Sequence, residues 1–313
     1  MRSSARHSAL TVLLAGVCLS ACETEGSPTT EEPSPCSGTA ELADIAQHSA
    51  GVTGDFVIVP VDGGRVYEVD PRRLAEPECR QASIPAELVA LAPNLYDSSV
   101  LGLTGTGRLF RATSAGDWTA WNEVGAVPAS VPFVDLAQHS GGPTGDFVIM
   151  PASGGQICEA DPRRLNQPEC RPSNAPPGIV AISPSAFDSS MLAVTGDGRV
   201  FRAVTTDDWA TWTQVGTVPG SSPFVDIVQH SSGPTGDFVL ITGGGGEVCE
   251  IDPRRLNQPE CRASSAPLGL VALSSNRYDD SMLAITAAGR LFRAVTTDDW
   301  VNWTEVGMVP SRR

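Results

Sequence analysis

The sequence has no lysine: all 21 of its basic residues are arginine. This rules out Schiff-base chemistry on a lysine amine and a Walker-type phosphate loop. Tyrosine is scarce, with three residues. No GxSxG, HExxH, GxGxxG or EF-hand pattern occurs, so the usual hydrolase, zinc-protease, dinucleotide and calcium-loop chemistries have no starting point. No catalytic residue, metal ligand or cofactor is expected. Positive charge is also in short supply. Against 36 acids the net charge is −15. A surface this acidic repels phosphate backbones, so no nucleic-acid partner is expected, although solubility alone would account for the charge.

Glycine (31) and proline (25) are plentiful, and apolar residues make up 41% in short periodic runs. That combination predicts an all-β fold of short strands joined by many turns, around a sizeable core.

The first residues follow a secretory plan. Arg2, Arg6 and His7 precede an apolar stretch, Ala9 to Val17, too short for the roughly 20 residues of a transmembrane helix. Leu19-Ser20-Ala21-Cys22 follows and resembles the lipobox of bacterial lipoprotein precursors. The resemblance implies cleavage before Cys22, lipid on its sulfur, and an envelope protein held to a membrane by that anchor. An ordinary cleaved signal is the alternative. Losing residues 1–21 removes two arginines and no acid, taking the charge from −15 to −17. Residues 22–38 are acidic and rich in Pro, Ser and Thr, and they read as a tether. In lipoprotein sorting an Asp after the anchor favours the inner membrane, so Glu23 leans toward the outer one.

The rest, 39–313, repeats. Gln-His-Ser falls at 47–49, 138–140 and 229–231, and Asp-Pro-Arg-Arg-Leu starts at Asp70, Asp161 and Asp252, always 91 residues apart. The copies are 42–132, 133–223 and 224–313. Each divides again: short apolar strands open around Asp44, Asp135 and Asp226, and others 46 residues later around Ala90, Ala181 and Ala272. An interval of about 45 residues is that of a four-stranded propeller blade. Three two-blade copies predict a six-bladed β-propeller; three separate β-sandwiches are the rival.

Thr205-Thr206-Asp207-Asp208-Trp209-Ala210-Thr211-Trp212 resembles the Asp-box of sialidase-like propellers, S/T-x-D-x-G-x-T-W, with Trp209 in place of the Gly. Copy three has Trp300 and Asn302 in this segment, and copy one has Gly116 at the Asp position. In that family the box is a hairpin-turn device, not an active site.

Cys158 and Cys170 are 12 residues apart, as are Cys249 and Cys261. Each pair is expected to be a disulfide across the Asp-Pro-Arg-Arg loop. Copy one has Tyr67 in place of the first cysteine, so parity pairs its Cys79 with Cys36; a free Cys79 is the alternative.

His48, His139 and His230 recur once per repeat. They are candidates for a small-ligand or zinc ring, or for a structural turn. Trp118, Trp209 and Trp300, beside Trp121, Trp212 and Trp303, offer faces to a sugar or pack between blades. The arginine pairs Arg72/Arg73, Arg163/Arg164 and Arg254/Arg255 suit anion forks or loop carboxylates. Threefold repetition of polar residues favours a non-enzymatic, multivalent binder of glycan or protein. A sialidase-like hydrolase or lyase with a single pocket is the alternative.

Overall fold

The computed structural model describes Cys36 and residues 41–48, 54–128, 130–139, 144–220, 223–230 and 236–309. They form six antiparallel sheets of four strands, each made of consecutive strands: 42–81, 88–126, 133–172, 179–217, 224–263 and 270–308. These are the blades of a six-bladed β-propeller, and the 91-residue period is two blades, as the spacing predicts.

Burial follows from position in the blade. Second strands such as Phe56–Pro60 and Ser190–Thr195 are buried at every residue, because a neighbouring blade covers each face. They therefore read as continuous apolar runs. Fourth strands such as Glu169–Pro172 run along the rim and are largely polar. Six apolar clusters fill the spaces between adjacent blades rather than one central core. One of them unites Leu42, Ile45 and Phe56 of the first blade with Leu283, Ile285 and Leu291 of the sixth, which closes the ring. The Leu42 amide also donates to the Ala287 carbonyl at 3.2 Å.

Every innermost strand carries a β-bulge at its second residue. Pairing skips from Leu42 to Asp44, from Leu88 to Ala90, from Phe133 to Asp135, and so on around the ring. A bulge re-aims the unpaired side chain. The six skipped residues, Ala43, Val89, Val134, Val180, Val225 and Val271, all line the central channel and form an apolar collar, one side chain per blade.

Candidate functional site

The channel runs between the six innermost strands and encloses about 800 Å³. Its polar wall residues recur by threes, and two of them explain the repeated sequence around the histidines. Asp44, Asp135 and Asp226 follow the bulge. Each accepts from the next residue's amide at 2.7 Å through Oδ1, and through Oδ2 at 2.6 Å from an amide of the following blade: Leu91, Ile182 or Leu273. Gln138, Gln229 and Gln47 reach the other way. Their Oε1 atoms accept from Leu95, Ala186 and Arg277 at 2.7–2.9 Å. Each of the six blade-to-blade joints is thus bridged on the channel side, by aspartate within a repeat and by glutamine between repeats. Burial and carboxylate neighbours push Asp44 and Asp135 well above the usual range, and burial pushes Asp226 up to about 7.

The histidines sit where the innermost strands end, each ring packed at a joint, and His230 also borders the channel. His48, His139 and His230 pack against Trp118, Trp209 and Trp300 at 4.8, 5.0 and 4.7 Å between ring centres. The Nε2 atoms of His139 and His230 lie 3.1 and 2.8 Å from the Ser189 and Asp280 carbonyls of the following blade. They do not form a zinc ring. Among the described residues, the only close group of three potential ligands is Glu247, Cys249 and Cys261, and its two sulfurs form a disulfide. A zinc site needs nitrogens that converge, whereas each of these rings serves its own joint.

The tryptophans are corrected in the same way. Trp118, Trp209 and Trp300 are 1–2% exposed within the cores of the intra-repeat joints, so no indole face is left for a sugar. Trp209 stands at the glycine position of the Asp-box-like segment and has φ +62°. The left-handed conformation costs about 1–2 kcal/mol. Burying 150–250 Å² of indole at roughly 25 cal/mol/Å² returns about 4 kcal/mol or more, so packing prevails.

Of the arginine pairs, the first member forks its own loop aspartate. Arg72 Nε and Nη2 donate to Asp70 at 2.8 and 2.9 Å, Arg163 does the same to Asp161, and Arg254 Nε donates to Asp252 at 3.0 Å. The loop-carboxylate reading therefore holds. All three disulfides form: Cys158–Cys170 and Cys249–Cys261 across paired strands, and Cys36–Cys79. Tyr67 faces Cys79 in the register that places Cys158 opposite Cys170. Cys22 lies outside the described residues.

Two features of the same face escaped the sequence reading. Tyr96, Phe187 and Tyr278 occupy equivalent turns after the innermost strands of the even blades and are 48, 42 and 45% exposed. The turns are stiff. The Tyr96 amide donates to Asn94 Oδ1 at 3.1 Å, and Asp97 takes both the Ser99 amide and hydroxyl and pairs with Arg111 at 2.5 Å. Arg293 and Arg202 hold Asp279 and Asp188 in the same way at 2.7 Å. Arg163 and Arg72 lie within electrostatic reach of Tyr96 and Tyr278. The second feature is Arg277, among the described residues the single arginine lining the channel. Both could have been seen by aligning the copies: an aromatic kept at a loop position, and one position reading Leu95, Ala186, Arg277.

The geometry defines a closed six-bladed propeller with a channel and a threefold-repeated turn face. Virginiamycin B lyase from Staphylococcus aureus has a similar fold, with TM-score 0.59 and 12% identity over 85% of this chain and 84% of that one. So does the hydrazine synthase of Kuenenia stuttgartiensis, at 0.60 and 10% over 82% and 76%. A chain of the nidogen/laminin complex matches at 0.60 and 10% over 86% and 92%. At these identities the likeness is one of fold. No family model and no curated protein matches the sequence.

Proposed function

We propose that the protein is a lipid-anchored, non-catalytic propeller of the cell envelope that binds glycan at three equivalent stations on its turn face. The observation that carries this reading is the exposure of Tyr96, Phe187 and Tyr278 at one repeated place. An exposed aromatic face packs against the apolar face of a sugar ring. Turns already held by hydrogen bonds lose little freedom on binding. Three stations on one rigid body multiply a weak affinity through effective concentration. The expectation of a multivalent glycan binder therefore moves from the buried tryptophans to these exposed rings.

The Leu19–Cys22 segment supports acylation at Cys22, and the acidic tether would hold the propeller away from the membrane. Three disulfides fit an oxidising compartment. A lyase or hydrolase reading has the fold likeness alone, because the repeated channel carboxylates are committed to backbone amides at the joints.

A glycan array with the purified protein and its Y96A/F187A/Y278A variant tests the proposal. Binding by the parent, reduced on the order of a hundredfold or more in the triple variant, is expected. An array on which the two proteins bind alike, or the parent binds nothing, ends the glycan reading. Anchoring is tested separately by detergent partition: Cys22→Ser should move the protein to the aqueous phase, and an unchanged partition refutes acylation there.

A further inference from the structure

At the channel mouth the threefold repetition fails at one position. Leu95, Ala186 and Arg277 each follow the innermost strand of an even blade, each donates its amide to a glutamine of the neighbouring odd blade, and all three line the channel. Leucine or alanine needs nothing more at this place. Arg277 brings a guanidinium there, and among the described residues it belongs to no ion pair. Arg202 and Arg293, on strands of the even blades, hold Asp188 and Asp279 instead. The Arg277 residue is exposed, yet the protein around it crowds its charge enough that burial lowers its pKa. His48 is close enough to feel the charge and is itself held toward the neutral form by burial. Of the acids on its own turn, Asp279 is committed to Arg293, while Asp280 offers its backbone carbonyl to His230 and itself lines the channel.

Below the mouth, apolar side chains stand beside the three joint aspartates on the wall. Leu91, Leu136, Ile182, Ile227 and Leu273 line it, and the bulge-built collar completes it. The aspartates among them direct both carboxylate oxygens at backbone amides. An 800 Å³ cavity with a largely apolar lining, a few polar groups and one cationic side chain at its mouth has the build of a small-molecule site.

We infer that the channel binds a small amphipathic carboxylate, its head forked by Arg277 at the mouth and its apolar body lying along the wall toward the collar. A planar guanidinium matches a carboxylate through two parallel N–H···O bonds. One cation matches a monoanion; the second charge of a dianion would be desolvated in the channel without a partner. The inference rests on Arg277 and the channel wall, not on the glycan-station rings, although those rings stand on the same turns beside the mouth.

The experiment is isothermal titration calorimetry of the full chain with octanoate and, as the uncharged counterpart, 1-octanol. Octanoate should bind saturably at one site per chain. Arg277→Leu should weaken it about tenfold or more while leaving 1-octanol unaffected. Leucine already occupies the equivalent position 95, so the fold accommodates it. Arg277→Gln, which keeps a polar side chain without the charge, should weaken octanoate as Arg277→Leu does. Octanoate binding that is equal in parent and Arg277→Leu proteins, or absent from the folded parent, overturns the site.

Discussion

The ring contains two kinds of joint, and they are built from different chemistry. Within a repeat, the joint is filled by tryptophan. Trp118 packs on His48 and gives its indole N–H to Glu68 at 3.2 Å, while Arg80 spans from Glu68 at 2.9 Å to Asp117 of the next blade at 3.1 Å. Between repeats, there is no tryptophan and the backbones come close. A Cβ on Gly216 would lie 2.4 Å from the Leu256 carbonyl oxygen of the following blade, and one on Gly307 would meet Leu74 of the first blade at the same distance. Cys158 and Cys249 fill two of these joints, and Tyr67 fills the third. A bulky side chain is thus one solution to a joint and its complete absence the other. Two joints of different width alternating around the ring require a two-blade repeat, and that is why the period is 91 residues rather than 45.

Emptying a wide joint is expected to have the largest effect. Trp209→Ala should cost about 3–5 kcal/mol, since a cavity forms in a core that cannot collapse onto it. Alanine keeps a Cβ, so the left-handed strain at this position is not relieved. Guanidinium unfolding reads this out, and a loss below about 1 kcal/mol would mean the indole is not what fills the joint.

Filling a narrow joint comes next. Gly216→Ala should cost about 1–3 kcal/mol, because the atom met is backbone and cannot rotate away. A neutral result would show that the inter-repeat spacing yields. The Cys249→Ala/Cys261→Ala pair, which removes a bridge closing a 12-residue separation, should cost roughly 3 kcal/mol at most, without altering the other two blade pairs. Reduction followed by a thermal melt gives the comparison.

The smallest effect is a pH slope. Asp226 holds its proton up to about pH 7, while the unfolded chain releases it near the ordinary 3.8; Asp44 and Asp135 shift in the same direction. The native state therefore binds the extra proton, and the stability it adds is complete below about 3.8 and lost as pH rises through about 7. Carboxylates held low by arginine, such as Asp161 at about 2, act below that window. Tm should fall by on the order of a few degrees between pH 5 and pH 8, and less in Asp226→Asn. A Tm that rises over this range contradicts the assignment.

The legible part of the site was the part that repeats at fixed spacing. The strand-paired cysteines could be read because residues 12 apart across a hairpin loop face each other wherever the strands pair. The odd tyrosine at 67 sent Cys79 to Cys36 by count alone. The tryptophans could be located but not assigned, since a sugar platform and a joint filler have the same spacing in the chain. Only the approach of Glu68 and His48 from the preceding blade decides between them. Tyr96, Phe187 and Tyr278 escaped attention because a single turn aromatic carries no strand or helix periodicity and shows only when the 91-residue copies are aligned.

By itself the sequence determined the number of strands, their grouping into blades and the twofold division of each repeat. Those depend on local alternation of apolar and polar residues and on exact recurrence. The tertiary structure alone decided which side chains face the channel. A bulge in every innermost strand shifts one residue out of pairing, which exchanges inside for outside at that point without leaving a mark in the hydrophobic pattern. It also decided what Arg277 faces, because the ion pairs of Arg111, Arg202 and Arg293, and the want of one at Arg277 among the described residues, depend on residues that are adjacent only after folding.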